Sequence, residues 1–214
     1  MHCDAGFASC PLGGIPPCGD GWHVAQGTGW ARLMLADGLG HGTHAHQLVN
    51  GLKDQLDWID KRSNERSSLE RCIREMHKKL RKGDQHDQVA AGLIEIDTSA
   101  ESIAAIILGN IQAYVLRDDR PVCIPSINGM LGGRIPTTLR STTYPLTAPA
   151  LLFLCSDGVD TKRALEYLRQ SMQFAGFSYK GAEDISQSIV DQYSKGTDDS
   201  SCIIVKLSDQ RAVP

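Results

Sequence analysis

Three short apolar runs in this chain meet an acidic turn, and that recurrence limits the folds open to it. Ala31-Arg32-Leu33-Met34-Leu35 leads into Ala36-Asp37-Gly38-Leu39-Gly40-His41-Gly42. Leu151-Leu152-Phe153-Leu154 leads into Cys155-Ser156-Asp157-Gly158-Val159. Gly196-Thr197-Asp198-Asp199-Ser200-Ser201 comes just before Cys202-Ile203-Ile204-Val205. Apolar runs this short, bounded by turn residues, read as buried strands. The chain therefore sets Asp-bearing turns at the ends of core strands, and loops held on a rigid sheet are where chemistry concentrates. Asp-Gly is also a common turn dipeptide. Carboxylates fixed in such turns are nevertheless candidate ligands for hard cations, and a neighbouring Gly lets backbone carbonyls approach an ion. A fourth acid, in Cys18-Gly19-Asp20-Gly21, precedes the Asp37 strand.

The sequence between these turns predicts a mixture of strands and helices. Trp22 to Ala25 and Trp30 to Ala36 form a hairpin around Gln26-Gly27-Thr28-Gly29. Ala45, Leu48, Val49, Leu52, Leu56 and Ile59 recur at helical spacing, and so do Leu69, Cys72, Ile73, Met76 and Leu80, with Ser67 or Ser68 as N-cap. Val89–Ile96, Ser102–Leu108 and Ile111–Arg117 read as three strands of an antiparallel meander, joined at Asp97-Thr98-Ser99-Ala100 and Gly109-Asn110. Val122–Ile124 and Thr138–Tyr144 are further, more exposed strands. Leu151–Cys155 and Ile203–Leu207 are buried ones. Ala164, Leu165 and Leu168 mark a helix, and Ile185, Ile189, Val190 and Tyr193 mark another that Gly196 caps. Residues 1–19, with Pro11, Gly13, Gly14, Pro16 and Pro17, read as loop with at most a short strand near Phe7 to Cys10. Helix pairs with antiparallel strands define an α+β chain whose helices pack on sheets.

At 214 residues one domain is expected over 1–214, with 1–19 an irregular leading segment. Hydrophobic content of 41% and charged content of 22% suit a globular protein with a sizeable core. A net charge of −3 gives no basic excess to suggest nucleic acid or an anionic membrane as partner. The one basic stretch, Lys78-Lys79-Leu80-Arg81-Lys82, closes a predicted helix, where cations favour the C-terminus. No 18-residue apolar stretch predicts a transmembrane helix, and the N-terminus lacks a signal-peptide pattern. The seven Cys, at 3, 10, 18, 72, 123, 155 and 202, include no Cys-x-x-Cys. Free thiols in a reducing cytoplasm are expected, and the wide spacing of Cys3, Cys10 and Cys18 argues against a zinc site.

The ordered set Gly-Asp at 19–20, Asp-Gly-Leu-Gly-His-Gly at 37–42, Ser-Asp-Gly at 156–158 and Asp-Asp-Ser-Ser at 198–201 resembles the metal-dependent serine/threonine phosphatases of the protein phosphatase 2C type. The compact bacterial branch of SpoIIE- and RsbX-like phosphatases is the most similar. Leu108-Gly109-Asn110-Ile111 resembles that branch's Gly-Asn turn, and Asn128-Gly129-Met130-Leu131-Gly132-Gly133 its Gly-containing loop. The resemblance spans about residues 19 to 207.

It implies a four-layer sandwich: two antiparallel β-sheets face to face, flanked by helices. It places Asp20, Asp37, Asp157 and Asp198 at one edge as ligands of two Mn²⁺ or Mg²⁺ ions, with Asp37 bridging and the Gly38 carbonyl as a further donor. Asp199 is then a supporting or substrate-side residue, because adjacent residues of an extended segment point to opposite faces. Bare carboxylates about 5 Å apart repel by roughly 3 kcal/mol per pair at an effective dielectric near 20, so such a cluster takes up cations or protons. All-oxygen ligation selects Mg²⁺ or Mn²⁺ over zinc or copper.

A two-metal site acidifies water and neutralises phosphoryl charge, which suits phosphomonoester hydrolysis without a covalent nucleophile. The chain has neither a Cys-x5-Arg loop nor a Gly-x-Ser-x-Gly elbow. His41 is a candidate proton donor to the leaving oxygen, while His44 and His46 are expected at the surface. Larger relatives carry an N-terminal Arg that grips phosphate, but residues 1–19 hold no Arg or Lys. The implied substrate is a phosphorylated regulatory protein, a STAS-domain antagonist or stressosome component in sigma-factor partner switching, met by a cytoplasmic monomer. Two other readings stand beside this one. A pseudophosphatase would bind a partner through the same edge. A GHKL-type ATP-binding protein would use Asp37-Gly38-Leu39-Gly40, although its second Gly comes one position early and no P-loop is present.

Overall fold

The computed structural model describes residues 2–62, 67–84, 86–117, 120–173 and 180–208; residue 1 and residues 209–214 of the expected 1–214 unit lie outside them. Ten strands and four helices follow the order β1 (His2–Cys10), β2 (Asp20–Gly27), β3 (Trp30–Gly38), α1 (Thr43–Arg62), α2 (Leu69–Leu80), β4 (Val89–Asp97), β5 (Ser102–Leu108), β6 (Gln112–Arg117), β7 (Arg120–Ile124), β8 (Thr142–Pro145), β9 (Ala150–Cys155), α3 (Thr161–Met172), α4 (Ala182–Tyr193) and β10 (Ser200–Ser208). Two five-stranded sheets result, ordered β1-β10-β9-β6-β7 and β2-β3-β4-β5-β8, and every paired neighbour runs antiparallel.

Strand side chains alternate between faces, and that alternation divides the core into three layers. Leu33, Leu35, Ile94 and Ile96 of one sheet meet Leu152, Leu154, Ile203 and Val205 of the other, filling the space between the sheets. On the outer face of the first sheet, Met34, Ala36, Leu93 and Ile106 pack under Val49, Leu52 and Leu56 of α1 and Ile73 and Met76 of α2. On the outer face of the second, Leu151, Phe153, Cys202 and Ile204 pack under Ala164 and Leu168 of α3 and Ile185 and Ile189 of α4. The arrangement is the expected four-layer α+β sandwich. Burying one large apolar side chain such as Phe153 is worth about 1.5–3 kcal/mol. Among the described residues no helix is long and apolar enough to cross a membrane.

Local signals located most elements, and Ser68 caps α2 by accepting from Arg71 N–H at 3.3 Å. Four readings change. The leading segment is not mainly loop, because His2–Cys10 is a nine-residue edge strand paired along its whole length with β10. Its stability comes from that ladder rather than from its own modest apolar content. The three central strands are not one meander. β4 and β5 pair, but the Gly109-Asn110 turn carries the chain to the other sheet, where β6 pairs with β9 and β7. Gly109 sits at φ +76, and a Cβ there would lie 2.8 Å from the Ala90 Cβ, so the crossing needs glycine.

The strand expected at Thr138–Tyr144 is shorter, Thr142–Pro145, because Leu139 turns inward against the α1–α2 layer instead. Finally, Gly196 does not cap α4. The helix stops at Tyr193, where Ser194 turns extended and bridges Val159, and where Tyr193 O accepts from Asp160 N–H at 2.8 Å. The pairing pulls this segment against the turn that follows β9.

Two charged features were also settled. The basic stretch at the end of α2 lines an open cavity of about 600 Å³ with Gln55, Glu75 and His77, and there Lys78 pairs with Glu75 while Lys79 Nζ donates to Gly51 O. Arg32, inside the apolar run of β3, is fully buried. Its guanidinium pairs with Asp60 of α1 and Glu95 of β4 and donates to Ser67 O ahead of α2.

Candidate metal centre

The acidic turns meet at one edge of the sandwich because of strand register. Asp20, the first residue of β2, is the Cα partner of Asp37 near the end of β3. Asp157 follows β9 in the other sheet. Asn110, at the turn that passes between the sheets, donates from Nδ2 to Asp37 Oδ2 at 3.0 Å and to Asp157 Oδ2 at 2.9 Å. Asp198 stands just before β10, close enough that its charge acts on both Asp20 and Asp37. The four acids expected as ligands are therefore neighbours, two from each sheet.

Electrostatics mark the same group. The Asp37 carboxyl is raised to about 8, by burial first and by the charges of Asp20 and Asp157 next, while the Asn110 hydrogen bond opposes them. Asp20 is likewise raised to about 6, chiefly by burial and in part by the charges of Asp199 and Asp198, against hydrogen bonds from Ser156 and Ser201. Desolvation and like charge both disfavour the carboxylate form, and a bound cation relieves both.

Supporting contacts hold the acids. Ser201 Oγ donates to Asp20 Oδ2 at 2.7 Å, and Ser201 N–H donates to Ser156 Oγ at 3.0 Å, linking the Asp157 turn to β10. Lys195 Nζ donates to Asp157 O at 2.6 Å from the segment that leaves α4. Gly158 abuts β10 so closely that a Cβ would lie 2.0 Å from Asp199 O. Asp199 is 3% exposed, and both its oxygens are engaged by backbone: its Oδ1 accepts from Leu12 N–H and its Oδ2 from Gly19 N–H, each at 2.7 Å. It fixes the backbone just ahead of Asp20. Of these helpers, Ser156, Gly158, Asp199 and Ser201 left a sequence signal, through the Ser-Asp-Gly and Asp-Asp-Ser-Ser motifs; Lys195 left none.

Gly38 is buried at the end of β3, and its N–H donates to Gly19 O at 3.3 Å. His41 is exposed in the loop between β3 and α1. Among the described residues its side chain makes no hydrogen bond or ion pair. Of the next two histidines, only His46 departs from the expected surface position. His44 is exposed but pairs with Asp87 at 3.0 Å. His46 is half-buried, joining Cys18 O to Asn50 at 2.9 and 2.8 Å.

The donor set fits a hard divalent cation: four carboxylates, no thiolate and no imidazole. Among the described residues no three acidic, His or Cys side chains close on a single point, and the Asn110 amide lies between Asp37 and Asp157. All seven cysteines are free thiols.

A family model described as Stage II sporulation protein E (SpoIIE) matches residues 27–208, a span that takes in Asp37, Asp157 and Asp198 but not Asp20. Among solved structures, one published under the bacterial stressosome as a modular system superposes with TM-score 0.82 at 21% identity, over 96% of this chain and 100% of that one. RsbX in complex with magnesium gives 0.79 at 18%, over 97% and 96%. The catalytic domain of the serine/threonine protein phosphatase PstP with two manganese ions gives 0.72 at 17%, over 97% and 99%. Identities this low establish a shared fold. No curated protein is a significant sequence match.

Proposed function

Because the chain belongs to the SpoIIE family, in the SpoIIE/RsbX branch of the protein phosphatase 2C type, we propose that it removes phosphate from serine or threonine of a regulatory protein. The observation that carries this reading is the meeting of Asp20, Asp37, Asp157 and Asp198 at one edge, with Asp37 and Asp157 joined through Asn110. Those four acids are the proposed holders of two Mn²⁺ or Mg²⁺ ions, with the Gly38 carbonyl as a further donor. When bound, such ions acidify water and offset charge on the phosphoryl oxygens and the leaving alkoxide.

The chain's own residues do the rest. Ser201 and Asp199 hold Asp20 opposite Asp37. Lys195 and Gly158 hold the Asp157 turn against β10. His41, exposed beside the Asp37 turn, is placed where a docked protein can reach it and is the proposed proton donor to the leaving oxygen. A protein substrate is supported by the small basic content of the N-terminal segment, which offers no Arg or Lys to grip a free phosphate. A STAS-domain phosphoprotein is the proposed partner class, in keeping with a structural neighbour described under the stressosome. Free cysteines support action in a reducing compartment.

The test is dephosphorylation of phosphorylated proteins encoded near this gene, with and without Mn²⁺. Turnover that needs Mn²⁺ or Mg²⁺ and stops in EDTA is expected. Metal binding without turnover on any phosphoprotein would instead favour the pseudophosphatase reading, and full activity in metal-free protein would remove the two-metal mechanism.

A further inference from the structure

Asn110 occupies the turn at which the chain leaves one sheet for the other, and its side chain touches one acid from each. Asp37 belongs to β3 of the first sheet, and Asp157 follows β9 of the second. The Nδ2 amide has two N–H donors, and it spends one on Asp37 Oδ2 at 3.0 Å and one on Asp157 Oδ2 at 2.9 Å. Only the NH₂ end of the amide suits that position, because both partners are acceptors. Once a cation holds both acids ionised, these hydrogen bonds are of the strong, charge-assisted kind, and a neutral amide supplies them without adding charge to an already acidic edge. An Asp in this place would be a further carboxylate. The two bonds take one oxygen of each carboxylate and leave the other oxygen of each free.

We infer that Asn110 is a positioning residue that sets the separation and orientation of Asp37 and Asp157 across the seam between the two sheets, so that their remaining oxygens are presented together to a divalent cation. The inference rests on the metal-centre reading above. It adds that the centre is preassembled by an uncharged side chain that is not itself one of the four acids. It also gives the sheet-crossing turn a chemical purpose: the same two residues, Gly109 and Asn110, reverse the chain between the sheets and pin the acids of both. Partners that orient metal ligands typically matter by 10- to 100-fold in affinity.

The experiment uses the full chain stripped of metal, with Mg²⁺ as the probe, followed by calorimetry and by the side-chain amide signals of Asn110 in ¹H–¹⁵N spectra. Asn110→Ala should bind Mg²⁺ about tenfold more weakly than wild type, and the wild-type Asn110 NH₂ signals should move over the same Mg²⁺ range that calorimetry reports. Asn110→Asp keeps the shape but replaces a donor with a charged acceptor, so its metal-free form should melt below that of Asn110→Ala, with Mg²⁺ restoring it. Equal Mg²⁺ affinity in wild type and Asn110→Ala, or unmoved Asn110 signals on Mg²⁺ binding, overturns the positioning role alone. A metal-free Asn110→Asp that melts with or above Asn110→Ala does the same. Failure of the wild-type chain to bind Mg²⁺ at all overturns this role and the metal centre together.

Discussion

Asp20 and Asp37 face each other as Cα partners at the end of the β2–β3 ladder, and the charge of Asp20 raises the hold of Asp37 on a proton. Like charges directly opposed on neighbouring strands destabilise a sheet. Placing a buried and a half-buried acid at this point therefore costs stability that a cation, or a proton, recovers.

The pH dependence follows from the sign of those shifts. Asp37 is raised from 3.8 to about 8 and Asp20 from 3.8 to about 6. Between the ordinary and raised values the folded chain binds more protons than the unfolded one, so stability falls as pH rises. Metal-free protein should melt higher near pH 5 than near pH 8, and Asp37→Asn should flatten that slope and melt above wild type at pH 8. Mn²⁺ should bind more tightly as pH rises, releasing protons. Thermal melts in chelator at several pH values test the first part; a metal-free wild type that gains stability from pH 5 to pH 8 would contradict it.

Asp37→Asn and Asp198→Asn should each weaken Mn²⁺ binding and cut turnover at least about 100-fold, the scale of losing one strong electrostatic stabiliser. Both leave the surrounding hydrogen-bond frame in place, so melting in chelator should not drop. Calorimetry of Mn²⁺ binding beside a turnover assay checks this.

Asp199→Asn should behave differently from Asp198→Asn. Its two carboxylate oxygens accept from Leu12 and Gly19 N–H groups, and an amide offers one acceptor where two are needed. A buried N–H left without a partner costs about 1–3 kcal/mol. The loss should read out first in the unfolding midpoint, with a substantial part of metal affinity kept. Equal damage to Mn²⁺ affinity in the Asp198 and Asp199 variants would show that the two roles have been divided wrongly.

Arg32→Met should destabilise the fold without touching the acids. It takes from Asp60 and Glu95, 13% and 15% exposed, the guanidinium that pairs with both. Breaking a buried pair by removing one partner costs about 3–5 kcal/mol, and the partial exposure of both acids puts this case at the lower end. Urea unfolding measures it, and a shift below about 1 kcal/mol would mean that water already screens the pair.

A phosphoprotein should be a better substrate than a free phosphorylated metabolite. The acidic edge attracts metals rather than small anions, and substrate grip must come from protein contacts. A steady-state comparison of kcat/KM decides, with a clear preference for a metabolite counting against the reading.

Much of this was open to reading in the one-dimensional chain because it is local. A short continuous apolar run such as Leu33-Met34-Leu35-Ala36 announces a strand buried on both faces, and helical spacing announces α1, α2 and α4 whatever they pack against. Asp-Gly turns at the ends of those runs marked three of the four acids, and the order of all four pointed to the family. The rest depends on partners far away in sequence. His2–Cys10 is a strand because β10 lies beside it. The Gly109-Asn110 turn has the same local chemistry whether the next strand stays in the sheet or leaves it, and only packing against β9 decides. Arg32 is tolerable inside an apolar run because Asp60 and Glu95 arrive from 28 and 63 residues on, and Asp199 becomes a backbone anchor because Gly19 comes back to it from 180 residues earlier. The chain alone determined most of the elements, β1 excepted, and which acids stand at their ends, since these follow from neighbours within a few residues. Tertiary structure alone decided which acids meet, what holds them and how their protons are shared, since burial and charge act through space.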